Sequence, residues 1–280
     1  MRALPAIALA VCGLIASGCG GTAAGGAAAG QAAPATSVRQ TPAQRVPPAS
    51  EPLGAEPAAT RPLEGKVVVI DPGHNGGNYR DPKAVNRKVN VLTQWKACDT
   101  TGTATNDGYS EAAFTWDVSK RLTKILKDRG ATVKLTRKNN DGVGPCITER
   151  AAIGNKAKAD AAISVHADGS AAGNHGFHVI MPKKIDGPVD KVVGASDRLG
   201  IAVRDAYKKG TGLAYSTYIG RKALDYRSDL GGLNLSTVPK IFIETGNMRN
   251  AGDAAKLKDP AFRQKIAVAL ANGLQHYLKA

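Results

Sequence analysis

The segment Lys66-Val67-Val68-Val69-Ile70-Asp71-Pro72-Gly73-His74 decides the fold class. Its apolar run has the length of a buried strand, and the Asp-Pro-Gly sequence predicts a turn where the strand ends. Two later segments have the same form: an apolar strand at 161–165 is followed by His166, and one at 240–243 is followed by Glu244. Polar residues therefore follow three strands at their carboxyl ends, where ligands and catalytic groups collect in α/β sheets.

The stretches between these strands include several with helical periodicity. The clearest runs from Ser110 to Arg129, with its apolar residues on one face, Ser110 as the N-cap and Gly130 at its end. The other predicted elements are a long loop at 75–108, strands at 132–136 and 176–181, and helices at 148–159, 196–209 and 260–278. This alternation predicts an α/β fold: a single domain with a central, mostly parallel or mixed twisted sheet flanked by helices.

The first part of the chain predicts export. Residues 1–19 have a basic start and a short apolar run, which is typical of a secretory leader. Small residues before Cys19 also resemble a lipoprotein cleavage site, so lipidation of Cys19 and simple cleavage both remain open. Residues 20–62 are rich in Ala, Gly and Pro and predict a disordered tether. The folded domain is expected over 63–280.

The formal net charge of +15 lies almost entirely beyond the tether. Nucleic acid is a common partner of basic proteins, but no cluster of Lys and Arg with interleaved aromatic residues is present. We therefore expect no nucleic-acid partner. We also expect the protein to be a monomer in the periplasm, the cell wall or the medium. A lipid on Cys19 would instead attach the protein to the outer face of the cytoplasmic membrane. An exported basic protein meets anionic wall polymers and lipid headgroups first.

Only two cysteines, Cys98 and Cys146, lie in the predicted domain. Cysteines in an oxidising compartment commonly pair, and these two lack the close spacing of a zinc knuckle. We predict one disulfide; two unpaired thiols are the alternative.

Four side chains are candidates for a metal-dependent active site: His74, His166, Glu111 and Glu244. Two imidazoles and one carboxylate are a common ligand set for catalytic zinc, and a second carboxylate can then move protons. Each residue also has a structural interpretation. A histidine after a strand is often a turn residue, and an acidic residue in a first helical turn, such as Glu111, is favoured by the helix dipole.

Several ordered blocks resemble one enzyme family. Residues 68–77, 135–137, 163–168 and 238–250 are similar to the zinc-dependent N-acetylmuramoyl-L-alanine amidases of the AmiC-like amidase_3 family. The resemblance extends over 66–280, and it is greatest to the small mycobacterial-type members with a single domain and a cysteine pair.

This resemblance implies one Zn²⁺ per chain, bound by His74, Glu111 and His166, with Glu244 as the catalytic carboxylate. It implies a peptidoglycan or muropeptide substrate, cut between the lactyl group of N-acetylmuramic acid and L-alanine of the stem peptide. Asp71 is a candidate to orient a ligand histidine, and Arg150 is a candidate ion-pair partner. The other histidines, His175, His178 and His276, are interpreted as structural.

Two other functions remain open at this point. The first is a different cell-wall zinc peptidase that cuts within the stem peptide. The second is an inactive wall-binding module that keeps the fold; loss of a ligand or of the catalytic carboxylate would indicate it, and all four residues are present.

Overall fold

The structure, a computed structural model, describes residues 61–280. The predicted leader over 1–19 and nearly all of the predicted tether over 20–62 lie outside the described residues. The strands are β1 (Val67–Pro72), β2 (Lys88–Asn90), β3 (Trp95–Ala97), β4 (Thr132–Leu135), β5 (Ala161–Asp168), β6 (His178–Pro182), β7 (Leu224–Arg227) and β8 (Lys240–Asn247). The α-helices are α1 (Pro82–Asn86), α2 (Glu111–Asp128), α3 (Ile147–Lys156), α4 (Val193–Thr211), α5 (Gly231–Asn234), α6 (Ala251–Lys258) and α7 (Pro260–Lys279).

Six strands form one sheet in the order β4-β1-β5-β8-β6-β7. All neighbours are parallel except β6 and β8, which are antiparallel. The prediction of one α/β domain with a mostly parallel, mixed sheet is therefore confirmed. The central strand β5 pairs with β1 on one side and with β8 on the other, so the three strands identified in the sequence lie side by side.

The two faces of this sheet differ in chemistry. One face packs against α2, α4 and α7 through a continuous apolar core that includes Ile163, Ile241 and Phe114. The other face is polar near the carboxyl ends of the strands, and α3 and α5 cover part of it. Because side chains alternate along a strand, β5 and β8 contribute to both faces. The apolar residues hold the sheet on its helices, and the polar residues of the second face remain available for a site.

The central strands are longer than the sequence predicts. Strand β5 continues through His166 to Asp168, and β8 continues through Glu244 to Asn247. Backbone ladder bonds do not depend on side-chain polarity, so a run that turns polar can remain a strand when a neighbouring strand pairs with it. The candidate residues His166 and Glu244 therefore lie within rigid strands and not in loops.

The segment 75–108 is also more ordered than a loop. It contains α1 and an antiparallel hairpin of β2 and β3, and a disulfide joins Cys98 to Cys146. The predicted disulfide is therefore confirmed, and Ile147 N donates to the Cys98 carbonyl beside it (2.7 Å). Within residues 61–280, no helix has the length and apolar character needed to cross a bilayer.

Candidate metal centre

His74 follows β1 after a single residue, Gly73, at the edge of the polar face. Its φ of 58° is in the left-handed region, which residues other than glycine seldom adopt. Arg150 Nη2 donates to the His74 carbonyl (2.9 Å), and the His74 Nδ1 atom lies 3.1 Å from the Thr100 carbonyl oxygen. The preceding residue must be glycine, because a Cβ at Gly73 would lie 2.3 Å from the His166 ring. The tight turn after β1 thus brings the two histidines together.

Glu111 is the first residue of α2. The Ser110 side chain caps this helix by accepting from Ala113 N (3.3 Å), as the sequence predicts. The Glu111 carboxylate is buried and accepts from the backbone amides of Thr103 (3.0 Å) and Ala167 (3.1 Å). Burial by itself would raise the pKa of Glu111, but the neighbouring histidines hold that pKa below its usual range.

Each of the two imidazoles contacts a different oxygen of the Glu111 carboxylate. His74 Nε2 lies 3.1 Å from Glu111 Oε2, and His166 Nδ1 lies 3.0 Å from Glu111 Oε1. The rings cross nearly at right angles, with their centroids 4.9 Å apart, and the Phe242 ring stacks on His166 at 5.2 Å. Burial lowers the pKa of His74, but Glu111 and Asp99 outweigh burial, so that this pKa is raised.

The donor set fits a cation. One ligand atom from each of His74, Glu111 and His166 lies within 4.8 Å of the others. The Thr100 carbonyl oxygen lies 3.1 Å and the Thr100 hydroxyl 3.0 Å from His74 Nδ1, so a neutral His74 with its proton on Nδ1 can donate to Thr100 and turn the Nε2 lone pair towards Glu111. An ionised carboxylate carries no proton. Lone pairs therefore converge on one point, and a proton or a metal ion is needed to hold them together.

Glu244 lies beside this cluster but outside it. It pairs with His166 across the β5–β8 ladder and with His178 across the β6–β8 ladder. Its Oε2 atom is buried, with no hydrogen-bond partner among residues 61–280. Burial raises the pKa of Glu244 well above its ordinary value, and the negative charges of Glu111 and Asp168 raise it further. A carboxyl group in this environment is suited to hold and release a proton.

Comparison with known proteins identifies the family. A family profile described as N-acetylmuramoyl-L-alanine amidase matches residues 68–276. The chain belongs to this amidase family. An N-acetylmuramoyl-L-alanine amidase from Mycobacterium tuberculosis is 39% identical over 218 residues, which cover 77% of this chain and 88% of that protein.

Two crystal structures of mycobacterial amidases share the fold. The N-acetylmuramyl-L-alanine amidase Ami1 of Mycobacterium smegmatis is 38% identical, with a TM-score of 0.73 over 77% of this chain and 98% of that chain. The apo form of Ami1 from Mycobacterium abscessus is 42% identical, with a TM-score of 0.73 over 77% of this chain and 100% of that one. The family and the enzyme class predicted from the sequence are thereby confirmed.

A cavity of about 230 Å³ opens beside the two histidines of this amidase. Phe242, Ile147, Leu230 and the glycines of α5 supply its apolar wall, and Lys96 lies at its polar side. The Lys96 Nζ atom is paired with Asp229 (3.0 Å). The cavity therefore offers an apolar recess next to the candidate metal centre, with charged groups that are already paired.

Several residues of the site were not identified from the sequence. Tyr218 donates to Asp168 (2.7 Å) near Glu244, and burial raises the pKa of this tyrosine. His178, interpreted as structural, is buried next to Glu244, and its Nδ1 atom has no hydrogen-bond partner within residues 61–280. The sequence around Tyr218 has no distinctive pattern. Asp168 belongs to the His-Ala-Asp block, which was the only available signal.

Proposed function

We propose that this amidase is a zinc-dependent peptidoglycan hydrolase that cleaves the amide bond between the lactyl group of N-acetylmuramic acid and L-alanine of the stem peptide. The observation that carries the proposal is the convergence of His74, Glu111 and His166 beside Glu244, whose Oε2 atom is buried and which is not part of the ligand set. Family membership supports the bond assigned, because the family is described by that amidase activity.

His74, Glu111 and His166 would hold one zinc ion per chain. When bound, zinc supplies Lewis acidity, which lowers the pKa of water towards about 7, and a positive charge that favours the ionised form of Glu244. Glu111 is prepared for this role, since two backbone amides fix both of its oxygens. The Gly73 turn and the Phe242 stack hold the His166 ring in place. A set that is ordered before binding loses little freedom when a ligand arrives.

Glu244 is proposed to move the proton. Its carboxylate accepts a proton from the attacking water as the new C–O bond forms at the lactyl carbonyl. The C–N bond then breaks, and Glu244 donates that proton to the leaving amine of L-alanine. The Oε2 atom of Glu244 is shielded from water, and the raised pKa of Glu244 makes it a competent acid for the second step.

The amidase assignment is favoured over the two alternatives. A peptidase that cuts inside the stem peptide would not be expected to match an amidase profile over 68–276. An inactive wall-binding module would be expected to have lost part of the site, whereas the three ligands and Glu244 are all retained.

We also propose export through the leader at 1–19, followed by lipidation at Cys19 or by release. The tether at 20–62 would give the domain its reach, and the protein would act as a monomer at the cell wall. The strongly basic composition favours retention on anionic wall polymers through long-range attraction.

The experiment is removal and return of the metal. Purified protein treated with a chelator should lose cleavage of a muramyl tripeptide, and one equivalent of zinc should restore it. Full activity after verified removal of all metal would contradict the zinc dependence.

A further inference from the structure

The Ser164 hydroxyl lies between a metal-ligand candidate and a buried carboxylate. Its Oγ atom is 3.1 Å from His166 Nε2, the ring nitrogen that faces away from Glu111. The same Oγ atom is 3.0 Å from Asp71 Oδ2 and 3.3 Å from the Asp71 carbonyl oxygen. Ser164 is fully buried, so water does not compete for these contacts. Three groups thus share one hydroxyl proton and one ring proton.

Asp71 is held as a carboxylate by two cations. Arg150 Nη1 donates to its Oδ1 (2.9 Å), and Lys240 Nζ lies 3.1 Å from its Oδ2. The Thr136 hydroxyl donates to Oδ1 at 2.6 Å. An aspartate between an arginine and a lysine keeps its negative charge even when it is buried. Asp71 can therefore only accept hydrogen bonds.

This arrangement fixes the direction of each hydrogen bond. A serine hydroxyl has one proton, and both Asp71 atoms within reach of Ser164 are acceptors, so that proton goes to Asp71. Ser164 then has only lone pairs to offer His166. The His166 Nε2 atom must donate, which leaves the Nδ1 lone pair directed at the point where His74 and Glu111 also converge.

We infer that Ser164 is a positioning residue that holds His166 in the tautomer and ring orientation that a metal ion requires. The inference rests on the proposed zinc site and adds to it the group that controls one ligand. The Phe242 stack cannot do this, because a stacked ring can turn over without leaving its neighbour. On the side of the ring that faces away from Glu111, the Ser164 contact distinguishes the Nε2 atom from a ring carbon. His74 has a separate arrangement, since its Nδ1 atom faces the Thr100 carbonyl.

Arg150 also contacts the second histidine of the candidate site, His74. Besides binding Asp71, Arg150 donates to the His74 carbonyl (2.9 Å) and to Asp99 Oδ2 (2.9 Å). Arg150 therefore supports the backbone of His74 directly and the ring of His166 through Asp71 and Ser164. The buried charged residues Arg150 and Asp71 thus support the candidate metal centre although neither belongs to its ligand set.

The test compares Ser164→Ala with Thr136→Val. Each variant removes one buried hydroxyl bond to Asp71, but only Ser164→Ala removes the partner of His166. Zinc dissociation constants are measured on the full-length protein by competition with a chromophoric chelator. Loss of the hydrogen-bond partner of a metal-ligating residue typically weakens metal affinity by about 10–100-fold. We expect that loss for Ser164→Ala and a change below about threefold for Thr136→Val. Equal affinity in the two variants would overturn the inference.

A second readout does not need the metal. Histidine ¹⁵N spectra of the zinc-free protein, at a pH where the rings are neutral, should show the His166 proton on Nε2 in the wild type and in Thr136→Val. Ser164→Ala should show a mixture of tautomers. A wild-type His166 that carries its proton on Nδ1 would refute the inference even if zinc binds normally. Absence of zinc binding by the wild type would instead refute the proposed function, and the tautomer measurement would stand independently.

A conservative variant guards against a folding defect. Ser164→Thr keeps the hydroxyl and adds one methyl group at a residue that lines the cavity. We expect Ser164→Thr to restore zinc affinity to within about threefold of the wild type. Failure of a folded Ser164→Thr variant to restore affinity would show that the hydroxyl is not the controlling group.

Discussion

Glu244 lies directly opposite His166 in the ladder that joins β5 and β8, so both side chains point to the same face of the sheet. The two residues nevertheless occupy different environments. His166 contacts Glu111 and Ser164, whereas the Glu244 Oε2 atom has no hydrogen-bond partner in the described part of the chain. The ladder thus places a candidate ligand and a candidate proton carrier side by side, on backbones that cannot move independently.

The first prediction separates these two roles. Glu244→Gln should keep zinc and should be at least as stable as the wild type at neutral pH, because burial already disfavours the charge of Glu244. Turnover should fall by about 10²–10⁴-fold, the usual contribution of a general acid–base group. Glu111→Gln is the matched variant and should lose zinc affinity, because it weakens a ligand. Zinc content, thermal stability and turnover are measured for both. Loss of zinc from Glu244→Gln with retention in Glu111→Gln would reverse the assignment.

The second prediction concerns the histidine ligands. His74→Ala and His166→Ala should each lose most of the bound zinc, whereas His276→Ala, in the last helix, should keep one zinc per chain. Metal analysis of folded protein, checked by circular dichroism, decides the outcome. If both site variants kept full zinc occupancy, the ligand assignment would be wrong.

The third prediction concerns the disulfide. Cys98 and Cys146 are separated by 48 residues, and in the chain-entropy model a loop of this size contributes about 4 kcal/mol to the free energy of unfolding. The bridge holds the β2–β3 hairpin segment beside α3, so reduction should increase hydrogen exchange at 88–97 before the sheet exchanges. Mass-spectrometric exchange with and without a reductant tests this. Simultaneous loosening of β5 and β8 would contradict it.

The fourth prediction concerns pH in the zinc-free protein. The pKa of His74 is raised in the folded state, chiefly through Glu111 acting against burial, above its ordinary value of 6.5. The folded state therefore binds more protons than the unfolded state between the two pKa values. Stability from this pair is fully present below pH 6.5 and is lost as the pH rises through the folded pKa. Urea unfolding of the zinc-free wild type should show this decline, and His74→Ala should lack it. An equal decline in both proteins would assign the effect to another group.

Much of the fold could be predicted because the three central strands are continuous apolar runs, and α2 has one apolar face with a Ser110 cap. The ends of β5 and β8 could not, since pairing between His166 and Glu244 continues the ladder into polar sequence. The short elements β7 and α5 have no strong periodicity, and they form because β6 and the polar face provide partners for them.

The residues of the candidate site also fall into a predictable and an unpredictable group. His74, Glu111, His166 and Glu244 could be proposed because each belongs to a recognisable block of the family. The supporting network could not be assembled, although Asp71 and Arg150 were candidates individually. Ser164 and Lys240 are single polar residues in apolar strands, and only the register of β1, β5 and β8 brings them to the Asp71 carboxylate.

The most direct measurement is mass spectrometry of the products formed from a purified muropeptide. The account predicts a free stem peptide with L-alanine at its new amino terminus, together with a glycan that keeps its lactyl group. Release of D-alanine, or of fragments cut within the stem peptide, would contradict the account and would indicate a cell-wall peptidase instead.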